Sequence, residues 1–280
     1  MKKVGAVFDG LRFSKATLDF SISIAKEAHA QLTGIFLDDF VYRSYNMAKV
    51  VKEYKDYSKK LELLDEKDKQ KRDAAVELFE KTCKAKGVDF TVHRTEGIAI
   101  NDLKHQSIFT DVMIISNAET FTKYKEKAPT RFMRDLLADV QCPVIVVPNF
   151  YRPIEKAIFL YDGGPSSVYA AKMYSYLFQK SPVIPVEVLT INEPKAEAVF
   201  VPDKQLLKSF IKQHYPKAKF VMGKGNAEDQ ILRFLTKGNG TELVVLGAYR
   251  RSEISRWFKE SMADVLMREL QIPLFIAHNK

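Results

Sequence analysis

Short apolar runs alternate along this chain with longer stretches in which apolar residues return every three or four positions. The runs near 4–8, 32–37, 89–93, 111–116 and 143–148 predict strands, and Phe13, Ala16, Phe20, Ile22 and Ile24 supply the apolar face of a helix over about 13–29. Further helices are predicted at 99–107 and 130–140. The alternation then starts again, with strands near 157–161, 183–190, 218–222, 242–247 and 273–277 and helices near 165–179, 202–213, 226–236 and 258–270. Several strands are near-continuous apolar runs, as expected of a parallel sheet covered by helices on both faces. Right-handed crossovers make a doubly wound sheet the topology to expect, with a crevice beyond the carboxyl ends of the first and fourth strands.

The second pass repeats the first in detail. Lys3-Val4-Gly5-Ala6-Val7-Phe8-Asp9-Gly10 and Lys156-Ala157-Ile158-Phe159-Leu160-Tyr161-Asp162-Gly163 each run an apolar strand into an Asp-Gly turn. The closing strands match as well, Pro143-Val144-Ile145-Val146-Val147 against Pro273-Leu274-Phe275-Ile276-Ala277. A repeat of this length predicts two domains, 1–150 and 151–280, and not a solenoid. The first carries roughly twenty extra residues, assigned to an insertion at 42–73. There Val50, Tyr54, Tyr57, Leu61 and Leu64 form a heptad-like seam, which the charged run from Asp65 to Asp73 interrupts. The segment reads either as a helix packed on its own sheet or as an arm meeting another surface.

Charge and cysteine content narrow the function classes. Lys+Arg 44 against Asp+Glu 35 gives a net charge of +9, which favours anionic ligands or partners without choosing among them. Mixed-sign charge in the insertion argues against a nucleic-acid arm, which should be one-sidedly basic. The two cysteines, Cys83 and Cys142, form no CxxC and no disulfide framework. The Met-Lys-Lys start enters a strand without the apolar region of a signal peptide, and no stretch approaches the length of a membrane span, so a cytoplasmic setting is expected. The five histidines are scattered without metal-ligand spacing, so no metal site is predicted. Gly223-Lys224-Gly225-Asn226 lacks the spacing of a phosphate loop and reads as a strand-to-helix turn, and no Gly-x-Ser-x-Gly elbow occurs.

The paired Asp-Gly turns, Gly97 and Gly225 before the third helices, and Leu246-Gly247-Ala248-Tyr249-Arg250 at the fourth-strand end resemble the universal stress protein family in tandem form. The resemblance covers nearly the whole chain. It implies an α/β fold of two doubly wound parallel five-stranded sheets, with adenine nucleotide alpha hydrolase-like or flavodoxin-like winding, about a pseudo-twofold axis. In the family the last strands commonly pair across the dimer axis, which places 143–147 and 273–277 at the interface between the repeats.

In nucleotide-binding members of that family, a glycine ends the fourth strand, a second follows, and a Gly-Ser or Gly-Thr pair opens the fourth helix. Glycines let backbone N–H groups approach phosphate, and a hydroxyl at a helix start donates to it. The second repeat keeps Asp162, Gly247 and Ser261, whereas Arg250 and Glu260 stand where the family pattern has glycines. The first keeps Asp9, but Ser116-Asn117-Ala118-Glu119 replaces the glycine-led turn and Thr130-Arg131 stands for the Gly-Ser pair, so conventional ATP binding is not expected there. Both aspartates also have a plain reading as turn or capping residues.

What the resemblance implies is a non-catalytic sensor or interaction protein of stress adaptation, working by self-association or through a protein partner, with neither nucleic acid nor membrane as its target. The alternative is a protein that binds ATP or AMP, with magnesium, in the second repeat and hydrolyses it slowly. The candidate ligand-binding residues for that alternative are Asp162, Gly163, Gly247, Arg250, Ser261 and Met262.

Overall fold

In a computed structural model of the chain, all residues are described except 40–41, 180, 182–183, 193–200, 202, 249–260 and 280. The first half runs β1 (Lys3–Phe8), α1 (Lys15–Glu27), β2 (Gln31–Asp39), α2 (Met47–Glu53), α3 (Tyr57–Lys86), β3 (Phe90–Gly97), α4 (Ala99–Gln106), β4 (Val112–Ser116), α5 (Arg131–Asp139) and β5 (Val144–Val147), with a short 3-10 turn after α4. The second half runs β6 (Lys156–Leu160), α6 (Pro165–Leu177), β7 (Val186–Asn192), α7 (Lys204–His214), β8 (Lys219–Lys224), α8 (Ala227–Leu235), β9 (Glu242–Gly247), α9 (Met262–Glu269) and β10 (Leu274–Ala277).

The strands form one ten-stranded sheet in the order β3-β2-β1-β4-β5-β10-β9-β6-β7-β8. Each half is parallel, and the two five-stranded sheets join edge to edge through the antiparallel pair β5 and β10. The segments expected between the repeats are therefore the joining strands. Strand β1 pairs with both β2 and β4, and β6 with both β7 and β9, so the winding reverses at β1 and at β6. That reversal opens one crevice per half, beyond Phe8 and Ser116 in the first and beyond Leu160 and Gly247 in the second.

Side chains alternate across the sheet and so build two apolar layers. Val4, Ala6 and Phe8 point to the layer roofed by α1, α3, α6 and α7, whereas Val7 points to the layer roofed by α4, α5, α8 and α9. Both layers run continuously through the two halves.

The insertion departs from the sequence reading. The seam is broken: α2 stops at Glu53, Tyr54 is extended, and Asp56 starts α3 by accepting from the Lys59 N–H at 3.3 Å. Tyr54 and Tyr57 are exposed. The charged run does not end the helix. Lys, Glu and Gln are good helix formers, and Ala75, Phe79 and Cys83 anchor the later turns in the core until Gly87, in left-handed conformation, closes α3. Nor is that run wholly solvated. Asp68 is buried and accepts from the Ser44 N–H at 2.8 Å and hydroxyl at 2.5 Å, while Arg72 pairs with buried Asp38 at 3.3 Å. Among the described residues no helix is long and apolar enough to cross a membrane.

Candidate functional site

In the second half, β6 delivers Asp162 to the crevice and β9 delivers Gly247. A cavity of about 200 Å³ opens between them, walled by Leu160, Leu189, Ile231 and Met262, with Asp162 and Gly247 also lining it. Asp162 is exposed, and its Oδ1 accepts from the Gly164 N–H at 2.8 Å. Gly163, at φ 83°, supplies the left-handed turn that lets α6 start two residues later on Pro165.

Gly247 has a packing reason of its own. A Cβ there would lie 2.2 Å from the Ser166 carbonyl carbon, because the first turn of α6 rests on the end of β9. Ser261 stands at the start of α9, where its hydroxyl accepts from the Asp264 N–H at 3.3 Å. Asp162, Gly247 and Met262 thus line one cavity, and Gly163 and Ser261 are their neighbours in sequence. Arg250 lies outside the described residues, as do Glu260 and the aromatic and arginine side chains between them.

The first crevice is built from the same elements and filled differently. Asp9 is 2% exposed, and its Oδ1 accepts from the Leu11 N–H at 2.8 Å. Ser14, and not Asp9, caps α1. Beside Asp9 lies Glu119, 6% exposed, in the loop after β4. Burial pushes the Glu119 carboxyl up to about 8, and the neighbouring Asp9 charge adds to the rise. Burial likewise raises Asp9, with the Leu11 N–H, the Tyr42 hydroxyl and Arg12 opposing it. Two carboxyls in one dry site resist ionising together.

The insertion closes the inner part of this crevice, over Asp9. Arg72 of α3 donates to the Tyr42 carbonyl at 2.9 Å and its stem lies on Gly10, where a Cβ would meet the Arg72 Cγ at 3.0 Å. Tyr42 is thereby held over Asp9, with the Arg12 guanidinium 5.9 Å from its ring centre, and burial followed by the Asp9 charge raises its phenol well above the ordinary value. On the other side Thr130 donates to the Glu119 carbonyl at 2.5 Å while capping α5 through the Met133 N–H. Phe121 fills the core between them, packed with Phe132 at a centroid distance of 4.7 Å and in one cluster with Ala99, Leu103 and Met133.

No protein-family model matches the chain. It is 22% identical over 185 residues to a universal stress protein from Synechocystis, a match that covers 65% of this chain and 63% of that protein. The match therefore spans less than two thirds of the relative's length. A universal stress protein from Archaeoglobus fulgidus superposes with a TM-score of 0.63 at 12% identity, over 99% of this chain and 96% of the other. A structure described as a putative universal stress protein from Pseudomonas aeruginosa gives 0.60 at 14% identity, over 99% and 92%. The chain is thus similar in sequence to a universal stress protein and shares the fold of others.

Within this doubled fold the two crevices are unequal. Three of the candidate residues, Asp162, Gly247 and Met262, line an apolar cavity in the second. In the first, the residues that replace the family's glycine-led turn are structural partners: Ser116, Asn117 and Glu119 are all buried. Sequence reasoning missed the Asp9, Glu119 and Tyr42 cluster. Its signal was present in the loss of glycine after β4, but nothing in the linear pattern brings Tyr42 to Asp9 without knowing how α3 lies.

Proposed function

We propose that this chain is a universal stress protein acting as a non-catalytic sensor, in which the second crevice takes an adenine nucleotide of the ATP or AMP type and the first, filled over Asp9, does not. The observation that carries this reading is the contrast between the two ends of the sheet. The second has a cavity with apolar walls for a flat base and an exposed carboxylate, Asp162, to accept ribose hydroxyls. The first has buried Asp9, Glu119 and Phe121, with Tyr42 across the same space.

Sensing, as opposed to turnover, is supported by the chemistry at hand. Asp162 is the one carboxylate among the described residues lining that cavity, and one of its oxygens already serves the turn to α6. General acid–base work usually pairs groups with displaced proton affinities. We place the protein in the cytoplasm, where its buried thiols, Cys83 and Cys142, stay reduced.

The test is an equilibrium titration of nucleotide-stripped protein with ATP and with AMP, each with and without magnesium, beside Asp162→Ala and a cavity-filling Leu189→Trp. Saturation near one site per chain, lost in both variants, supports the reading. Absence of binding at millimolar nucleotide leaves an interaction protein that works without one.

A further inference from the structure

The outer part of the first crevice holds a larger cavity, about 450 Å³, between the β1–α1 turn, the loops after β4 and β5, and the first turn of α1. Three cationic side chains line it: Arg12, Lys15 and Lys125. None of them is in an ion pair among the described residues, whereas Glu126 on the same wall is taken up by Arg131, to its guanidinium at 3.3 Å and its N–H at 2.8 Å. Glu119 is the remaining carboxyl on the wall, and Ser14 and Asn149 add polar groups. Lys15 and Lys125, with Arg12 shared with the Asp9 and Glu119 carboxyls, focus a positive potential in this concave space.

We propose that this cavity binds a small oxyanion of the sulfate and phosphate class, held by Arg12, Lys15 and Lys125 against the Glu119 carboxyl. This site is separate from the nucleotide cavity of the second half and does not depend on it. An anion beside a carboxylate is tolerated only when that carboxylate carries its proton, and then the carboxyl O–H donates to the anion. The groups facing Glu119 set when this holds: Asp9 from the end of β1, Arg12 from the following turn, Tyr42 from the segment before α2 with Arg72 of α3 behind it, and Lys15, Lys125 and Glu126 around the cavity. Burial and Asp9 keep Glu119 protonated through neutrality. Binding is then proton-linked, weakening by up to about tenfold per pH unit above the point where Glu119 ionises.

Sulfate is the probe, since its charge is constant over the range needed. The full chain is titrated calorimetrically with sulfate at constant ionic strength, at about pH 6 and about pH 9, on either side of the Glu119 transition. Single-site saturation at the lower pH, weakened about tenfold at the higher, is expected. Glu119→Gln should bind equally at both, because the amide donates at either pH, and Lys15→Gln and Lys125→Gln, which are surface changes, should each weaken binding at both. Asp162→Ala should bind as the parent does. The proposal is overturned by absence of saturable binding at the lower pH, by unchanged affinity in both lysine variants, or by a Glu119→Gln protein that keeps the parent's pH dependence.

Discussion

Ile145 and Phe275 face each other at the centre of the antiparallel β5–β10 pair, and each stands two residues after the proline that opens its strand. The flanking pairs, Val144 with Ile276 and Val146 with Leu274, exchange matching positions of the two repeats. A twofold axis therefore passes between Ile145 and Phe275, and the junction is isologous in the way a symmetric dimer interface is. Covalent fusion lets the two sides differ, which is how a phenyl ring comes to sit opposite a branched aliphatic.

Phe275 is fully buried and packs edge-on against Tyr174 at 5.5 Å and Phe178 at 6.2 Å between ring centres. Phe275→Ala should cost about 3–5 kcal/mol, the usual range for emptying a core aromatic site. Because one apolar layer runs through both halves, urea unfolding should show a single transition moved to lower denaturant. A second-half transition that moves while the first stays fixed would show the halves to be energetically independent.

Glu119 makes stability depend on pH with a definite sign. Its proton affinity is raised in the folded state from the ordinary 4.5 to about 8. Below the lower value both folded and unfolded chains are protonated, so the group contributes nothing to the pH dependence. Between the two the folded chain holds a proton that the unfolded chain has lost, so stability falls as pH rises, by up to about 1.4 kcal/mol per unit, and levels off above the folded value. The raised Asp9 acts in the same direction. Glu119→Gln should flatten most of this slope. Thermal unfolding of both proteins across that range checks it; parallel curves would mean that Glu119 does not titrate in the window.

The parts of this molecule legible in the sequence are those set by local period and punctuation. Strands such as Val112–Ser116 and Val144–Val147 are apolar runs too short to be helices, and Asn226 and Ser261 sit where helix starts need a side-chain acceptor. The doubling was legible because Asp9 and Asp162 mark the same turn twice. What was not legible depends on contacts distant in sequence. The charges of 65–73 look solvated in linear order, yet Asp68 and Arg72 turn inward onto Ser44, Tyr42 and Asp38. The seam failed because Tyr54 and Asp56 break the helix, and a cap outweighs a spacing pattern of five residues. Gly247 was legible as a ligand-approach glycine but equally required by α6, a distinction only the Ser166 contact reveals.

The last relationship to test is the hold of the insertion on the first crevice. Arg72 ties three elements together: the Tyr42 carbonyl at 2.9 Å, the Asp38 carboxylate at 3.3 Å, and Gly10 beneath its stem. Asp38 retains Arg94 when Arg72 is removed, so Arg72→Ala should cost less than the roughly 3–5 kcal/mol of a buried pair left with one partner. Most of the loss should be local. Residues 42–46 stay attached through Ser44 and Asp68 but lose their anchor over Asp9, and a local loss of about 1.4 kcal/mol speeds amide exchange tenfold. Hydrogen exchange should therefore rise about tenfold in 42–46 and at the Leu11 N–H, which Asp9 holds, while the amides of β9 and β10 keep their parent rates. A rise spread evenly over both halves would assign Arg72 to general stability; a rise confined to the crevice shows that α3 is what keeps Tyr42 over Asp9.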